Sequence, residues 1–194
     1  LNNYEIRNLC LYSLIIKKMI NQEIKSSLIL ASVYSLRMFG MFILLPIFAV
    51  YAVNLPITPT ELQIGLALGI YGLTQAIFQI PFGVASDYFG RKPIIYFGLS
   101  LFILGSLIAG SSDKIELITL GRAIQGSGAI SAVLTAFLSD LTSPEQRTKS
   151  MAMIGASIGL TFILSLIIAP WLNEEIGVQG IFILIAFLSF IAIF

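Results

Sequence analysis

The stretch Gly83-Val84-Ala85-Ser86-Asp87-Tyr88-Phe89-Gly90-Arg91-Lys92-Pro93 is a short charged turn with a long apolar run on each side. Such a turn belongs at the water face of a membrane, joining two spanning helices. Gly90 can take a positive φ at no steric cost. Pro93 suits the first turn of the following helix, where its missing N–H is no loss. Arg91 and Lys92 mark one side of the membrane. Asp87 falls at the carboxyl end of the preceding helix, where the macrodipole is already negative. An acid there needs a cation, and Arg91 lies four residues on. Spacing alone is equally compatible with a generic basic turn.

Composition places the turn in its setting. Of 194 residues, 57% are hydrophobic and 11% charged, against about 25% charged in a soluble domain. The chain therefore reads as an integral membrane protein in contact with a lipid bilayer. A net charge of +1 and the lack of any basic cluster beyond the short loops argue against nucleic acid as a partner. Cys10 is the single cysteine and cannot form an internal disulfide. The absence of histidine removes the most frequent general base and metal ligand. No metal site, cofactor or enzymatic centre is expected.

Working outward from the turn, six apolar runs emerge, near residues 28–53, 62–85, 94–110, 115–139, 147–172 and 178–194. Each is near the length a spanning helix needs. The expected fold is all-α and polytopic. Thr58-Pro59-Thr60-Glu61 reads as a capping box with Pro at the first helical position. Asp113 with Glu116 is expected to cap the fourth helix, and Ser143-Pro144-Glu145-Gln146 the fifth. A turn is expected at Asn173 to Gly177. Residues 1–27 read as a separate cytoplasmic segment, diluted by Asn2, Asn3, Asn8 and Asn21. Their first 18 residues are expected to be a loose tail, or untranslated sequence upstream of Met19.

The basic residues give an orientation. Arg7, Lys17, Lys18, Lys25, Arg91, Lys92, Arg147 and Lys149 fall on one side, and Lys114 alone on the other. Eight against one places both ends in the cytoplasm.

Arg37 and Arg122 lie within apolar runs. A charge at that depth costs about 2.5–3.5 kcal/mol on the insertion scale. Each should face a water-filled cavity or a buried partner, for function or as a polar tie. Tyr71, Gln75 and Gln79, four apart, line one helix face. Their amides must find partners, either substrate or packing hydrogen bonds. Gly65, Gly69, Gly72, Gly126, Gly128, Gly155 and Gly159 read as close-packing positions.

Gly83-x-x-x-Asp87-x-x-Gly90-Arg91-Lys92 resembles the loop between helices 2 and 3 of the major facilitator superfamily, with Tyr88 where that pattern usually has a basic residue. Gly121-Arg122-Ala123-Ile124-Gln125-Gly126-Ser127-Gly128 resembles the helix-4 motif of its proton-coupled antiporters. Together with Ser35 to Met41 and Ser139-Asp140-Leu141-Thr142, these segments are similar to the YajR-type group of proposed drug–proton antiporters. Ala169-Pro170 stands where antiporters carry Gly-Pro.

The resemblance implies the amino-terminal six-helix half of a transporter in the bacterial inner membrane. It implies alternating access, with proton-coupled efflux of a drug or metabolite driven by the proton gradient. A sugar or metabolite facilitator, or a non-transporting fragment or half-transporter subunit, are the other readings. The partners implied are a small solute and a carboxyl-terminal half, or a second copy. Gly83, Asp87, Gly90, Arg91, Lys92 and Asp140 would form a gating charge latch. Arg122 and Gln125, with Arg37, would serve the cavity and proton coupling.

Overall fold

The computed structural model describes residues 3–193, with side chains described from residue 22. The described residues form seven helices: α1 Asn3–Phe42, α2 Phe48–Val53, α3 Glu61–Phe89, α4 Arg91–Gly110, α5 Ile115–Ser127, α6 Ser131–Leu141 and α7 Pro144–Ile191. Four segments are long and apolar enough to cross a membrane, counting α5 and α6 together. The backbone of α1 runs without a break from Asn3 to Phe42. The side chains before residue 22, on which the expected tail and start at Met19 fall, lie outside the described ones.

Helix boundaries follow local chemistry. Pro46 disfavours helical geometry in the residue before it, and the chain turns from Ile43 to Ile47 between α1 and α2. Ile47 N–H bonds Leu44 C=O at 3.3 Å, and Phe48 N–H reaches the same carbonyl at 2.9 Å. The first apolar run is therefore two helices joined by a tightened turn. The box that caps α3 is Thr60 with Gln63, two residues later than expected. Gln63 Oε1 accepts from Thr60 N–H at 2.8 Å, and Thr60 Oγ1 accepts from Gln63 N–H at 3.3 Å. The later start puts Glu61 in the first turn, where it faces the positive helix end.

Gly90 alone separates α3 from α4. Its φ of 89° and ψ of 156° are open essentially only to glycine. The 115–139 run is broken at Gly128, Ala129 and Ile130. There α4 presses against the chain: a Cβ on Gly128 would lie 2.3 Å from the Gly98 carbonyl oxygen. Ala129 N–H turns back to Ser127 C=O at 2.8 Å, leaving the helical ladder. The 48-residue α7 would be about 72 Å long if straight. It folds at Gly177, at φ 66° and ψ 174°, so the expected turn over residues 173–177 contracts to that one residue.

Two other expected caps are corrected. The residue preceding α5 is Lys114, with no side-chain cap, because Asp113 is engaged elsewhere. Ser143 precedes α7 but turns its hydroxyl to Glu23, donating to Oε2 at 3.2 Å.

Two apolar clusters form the interior. One gathers Leu44, Phe48, Phe102, Ile118 and Phe182, the other Leu30, Leu99, Ile130, Leu134 and Leu138. Along α1 and α5, a polar layer falls between them. In a bilayer these clusters are held by packing more than by exclusion of water, since lipid is as apolar as leucine. Close approach is made by glycines: a Cβ on Gly105 would sit 2.5 Å from Gly121 C=O, and one on Gly126 would sit 2.2 Å from Tyr71 C=O. By contrast Gly65, Gly69, Gly72, Gly155 and Gly159 meet nothing within 4 Å. Expected as packing positions, they lie on outward faces of α3 and α7 beside exposed Leu66, Leu73, Leu160 and Ile163. Among the described residues no helix packs against these faces.

Gly177→Ala should destabilise the fold by about 1–3 kcal/mol, because alanine cannot take that backbone conformation without strain. Gly155→Ala, in open space, should leave stability unchanged or raise it by up to about 1 kcal/mol. Equilibrium unfolding of both variants in mixed micelles checks the pair; equal effects would contradict the assigned bend.

Candidate functional site

One end of the bundle is tied by Arg91. Its Nη1 lies 2.5 Å from Asp87 Oδ1, and its Nε donates to Asp140 Oδ2 at 2.9 Å. Nη1 also donates to Ser86 Oγ at 2.6 Å, and Ser86 donates onward to Gly83 C=O at 2.7 Å. The side chain is 20% exposed, its acids 62% and 53%. Both acids end helices, where the macrodipole opposes them, and one cation answers both. Arg147 Nη2 adds a bond to Ser139 C=O at 3.1 Å, and Lys92 is exposed. Gly83 faces Ala132 of α6 at ordinary contact distance, and Gly90 makes the one-residue turn that aims Arg91.

At the opposite end, Tyr51 Oη donates to Asp113 Oδ1 at 3.0 Å, and the Gln179 amide donates to the same oxygen. This is why Asp113 does not cap α5. A cleft of about 680 Å³ lies at that end among Pro56, Thr58, Gln63, Asp113, Lys114 and Glu116. Neither buried arginine lines it.

The polar layer lies between these ends. Arg37 is 1% exposed; its Nη1 donates to Ser131 Oγ at 3.1 Å and its Nη2 to Gln75 Oε1 at 3.5 Å. Arg122 is also 1% exposed, and its Nη1 donates to Gln125 Oε1 at 3.1 Å. Gln125 Nε2 then donates to Ser106 Oγ at 2.6 Å, and Ser106 to Phe102 C=O at 2.7 Å.

Aromatic rings complete the coordination. Arg37 lies 5.9 Å from the centre of the Phe102 ring, and Arg122 4.6 Å from that of Tyr71. These two rings meet edge to face at 6.4 Å. The order is thus Arg37, Phe102, Tyr71, Arg122. Each guanidinium gains from the negative face of a ring, but the rings neutralise no charge. Among the described residues both Nε atoms and the Tyr71 hydroxyl have no hydrogen-bond partner. Among the described residues neither arginine has a carboxylate within ion-pair distance.

Tyr71, Gln75 and Gln79 separate into three environments. Tyr71 is buried on Arg122, and Gln75 reaches Arg37 and Ser131. Gln79 lines a groove of about 410 Å³ with Tyr34, Ser131, Ala132, Thr135 and Ser139. Gly126 lets α5 approach the Tyr71 backbone, and Gly128 lets the chain break against α4. Ser131, Ser106 and Phe102 went unread in the sequence. A serine after Gly126-Ser127-Gly128 signals a break only once the contact with Gly98 is known. Among the described residues, no cluster of three His, Cys, Asp or Glu could hold a metal.

The family profile described as Major Facilitator Superfamily matches residues 30–194. The chain is 50% identical over 172 residues to the inner membrane transport protein YajR of Escherichia coli (strain K12), covering 89% of this chain and 38% of that protein. It is 48% identical over 171 residues to an uncharacterized transporter of Buchnera aphidicola subsp. Schizaphis graminum (strain Sg), covering 88% and 44%. It is 34% identical over 132 residues to the tetracycline resistance protein, class B, of Escherichia coli, covering 62% and 33%. The chain spans about two fifths of the length of the first two relatives. With the profile matching nearly all of the apolar region and the helices packed around a polar layer at membrane depth, the chain belongs to the Major Facilitator Superfamily.

Proposed function

We propose that this chain is the amino-terminal half of a secondary transporter that moves a small solute by alternating access, as proton-coupled efflux. The observation that carries the reading is the pair of buried arginines without carboxylates. In a chain of this family, charges kept at membrane depth mark a solute or ion pathway. The names of the relatives, an inner membrane transport protein and a tetracycline resistance protein, support transport and efflux, and support the bacterial inner membrane as its location.

In this reading there are six spans: α1 with α2, α3, α4, α5 with α6, and α7 on either side of Gly177. Both ends face the cytoplasm, as the basic residues require. Arg122 and Gln125 belong to the coupling step, with the proton gradient as driving force. Gly83, Asp87, Gly90, Arg91, Lys92 and Asp140 form the inner latch.

A specific observation favours a partner. The outward faces of α3 and α7 hold open glycines beside exposed apolar side chains, and solute sites in transporters of this kind lie between halves. A second six-helix half, or a second copy, would cover these faces. In that case the chain alone is a half-transporter subunit, and a verified monomer should carry no flux in proteoliposomes. Solute-specific flux from the monomer would contradict this.

Two substitutions test the roles in the assembled two-half transporter. Arg122→Ala should abolish coupled transport while leaving insertion and expression intact, and Arg122→Lys should rescue only in part, lacking the planar fork. Normal flux with alanine would reduce Arg122 to a packing residue. Asp87→Asn should change transport rate while shifting unfolding by less than about 1 kcal/mol, the worth of an exposed pair. Unaltered flux, or collapse of the fold, would remove the latch role.

A further inference from the structure

We propose that the break between α5 and α6 is a binding site for an organic anion, a solute bearing a carboxylate or similar oxyanion, with Arg37 as its cation. As the identity of the transported solute, this rests on the transporter reading; as a binding site it does not.

Three observations converge there. The first is a helix start inside the protein. The 11-residue α6 begins at Ser131, with Ile130 and Val133 fully buried and Ser131 4% exposed. The first N–H groups of a helix have no partner within it and carry partial positive charge. The first regular bond into α6 is from Leu134 N–H to Ile130 C=O, at 2.8 Å.

The second is Arg37. It is 99% buried by its 1% exposure, and its Nη1 contacts Ser131 Oγ at 3.1 Å, so the guanidinium reaches the first residue of α6. Among the described residues its hydrogen-bond partners, Ser131 and Gln75, are both neutral, and its Nε has none. Neutral oxygens supply no opposite charge to a buried cation, and an uncompensated buried charge is strongly unfavourable. An oxyanion would supply both the missing charge and an acceptor in the planar geometry a guanidinium prefers. A cationic solute would meet a fixed positive charge and a positive helix end together.

The third is access. The groove of about 410 Å³ starts at Ser131 and follows α6 through Ala132 and Thr135 to Ser139, one residue from Asp140 at the Arg91 end. Tyr34 and Gln79 line its other walls. Its walls carry hydroxyl and amide groups, and Ser131, which lines it, is the residue whose Oγ accepts from Arg37. Arg122 adds positive potential from behind the Phe102–Tyr71 pair.

The test uses the 194-residue chain in zwitterionic nanodiscs. Three planar isosteres are titrated by calorimetry: benzoate, neutral benzamide and cationic benzamidinium. Benzoate should bind at least about tenfold more tightly than either isostere, the scale of one charge-assisted hydrogen bond. Arg37→Gln should weaken benzoate by about tenfold or more, and Arg37→Lys by less. Equal or tighter binding of benzamidinium, no benzoate binding, or benzoate binding unchanged by Arg37→Gln would overturn the site.

A second measurement keeps Arg37 intact, in case its replacement disturbs folding. In a Cys10→Ser background, benzoate and not benzamidinium should slow alkylation of Ala132→Cys. Equal rates with and without benzoate would overturn the site. Flux is read apart from binding. Benzoate bound at Arg37 without any flux in the two-half protein supports the anion site and removes the transporter reading. Flux of a cationic dye with no benzoate binding does the reverse.

Discussion

Everything at the centre of this bundle depends on keeping two guanidinium groups out of water without a carboxylate beside them. Each is given a ring face and neutral oxygens. The rings are made to touch, so that Arg37, Phe102, Tyr71 and Arg122 form one continuous stack across α1, α4, α3 and α5. That stack needs the helices closer than ordinary side chains allow. Gly105 and Gly121 bring α4 onto α5, and Gly126 brings α5 onto the Tyr71 backbone. Those three glycines are thus part of the arginine environment, although none touches a guanidinium.

The same close approach produces the break after Ser127. With Gly98 and Gly128 in backbone contact, α5 cannot run on, and α6 starts afresh in the interior. Irregular backbone at membrane depth is tolerated only where protein or a water-filled cavity satisfies it. Here a polar groove begins at the new helix start.

Much of this architecture was legible in the sequence because a membrane makes hydrophobicity nearly continuous along each span. Pro93 and Gly90 marked the α3–α4 turn because their backbone preferences are local. Arg37 and Arg122 stood out because charge at that depth is rare. What was not legible depended on neighbours. Gly155 and Gly159 have the same spacing as contact glycines, but spacing does not say whether a helix passes there. Thr58 to Glu61 and Thr60 to Gln63 are overlapping capping boxes, and only the backbone decides between them. Asp113 could cap or tie, and it ties, because Tyr51 and Gln179 come from distant parts of the chain. Ala129 and Ile130 are apolar, so the break they sit in left no mark on the hydrophobic pattern.

Gly90 has a mechanical consequence. A linker of several residues absorbs rotation through many dihedrals; a single residue has only its own φ and ψ. The 29 residues of α3 and the 20 of α4 are therefore one bent lever with its elbow at Gly90. Arg91, the first residue past that elbow, grips the end of α6 through Asp140. A tilt of α6 would be felt at the elbow through the Arg91–Asp140 pair.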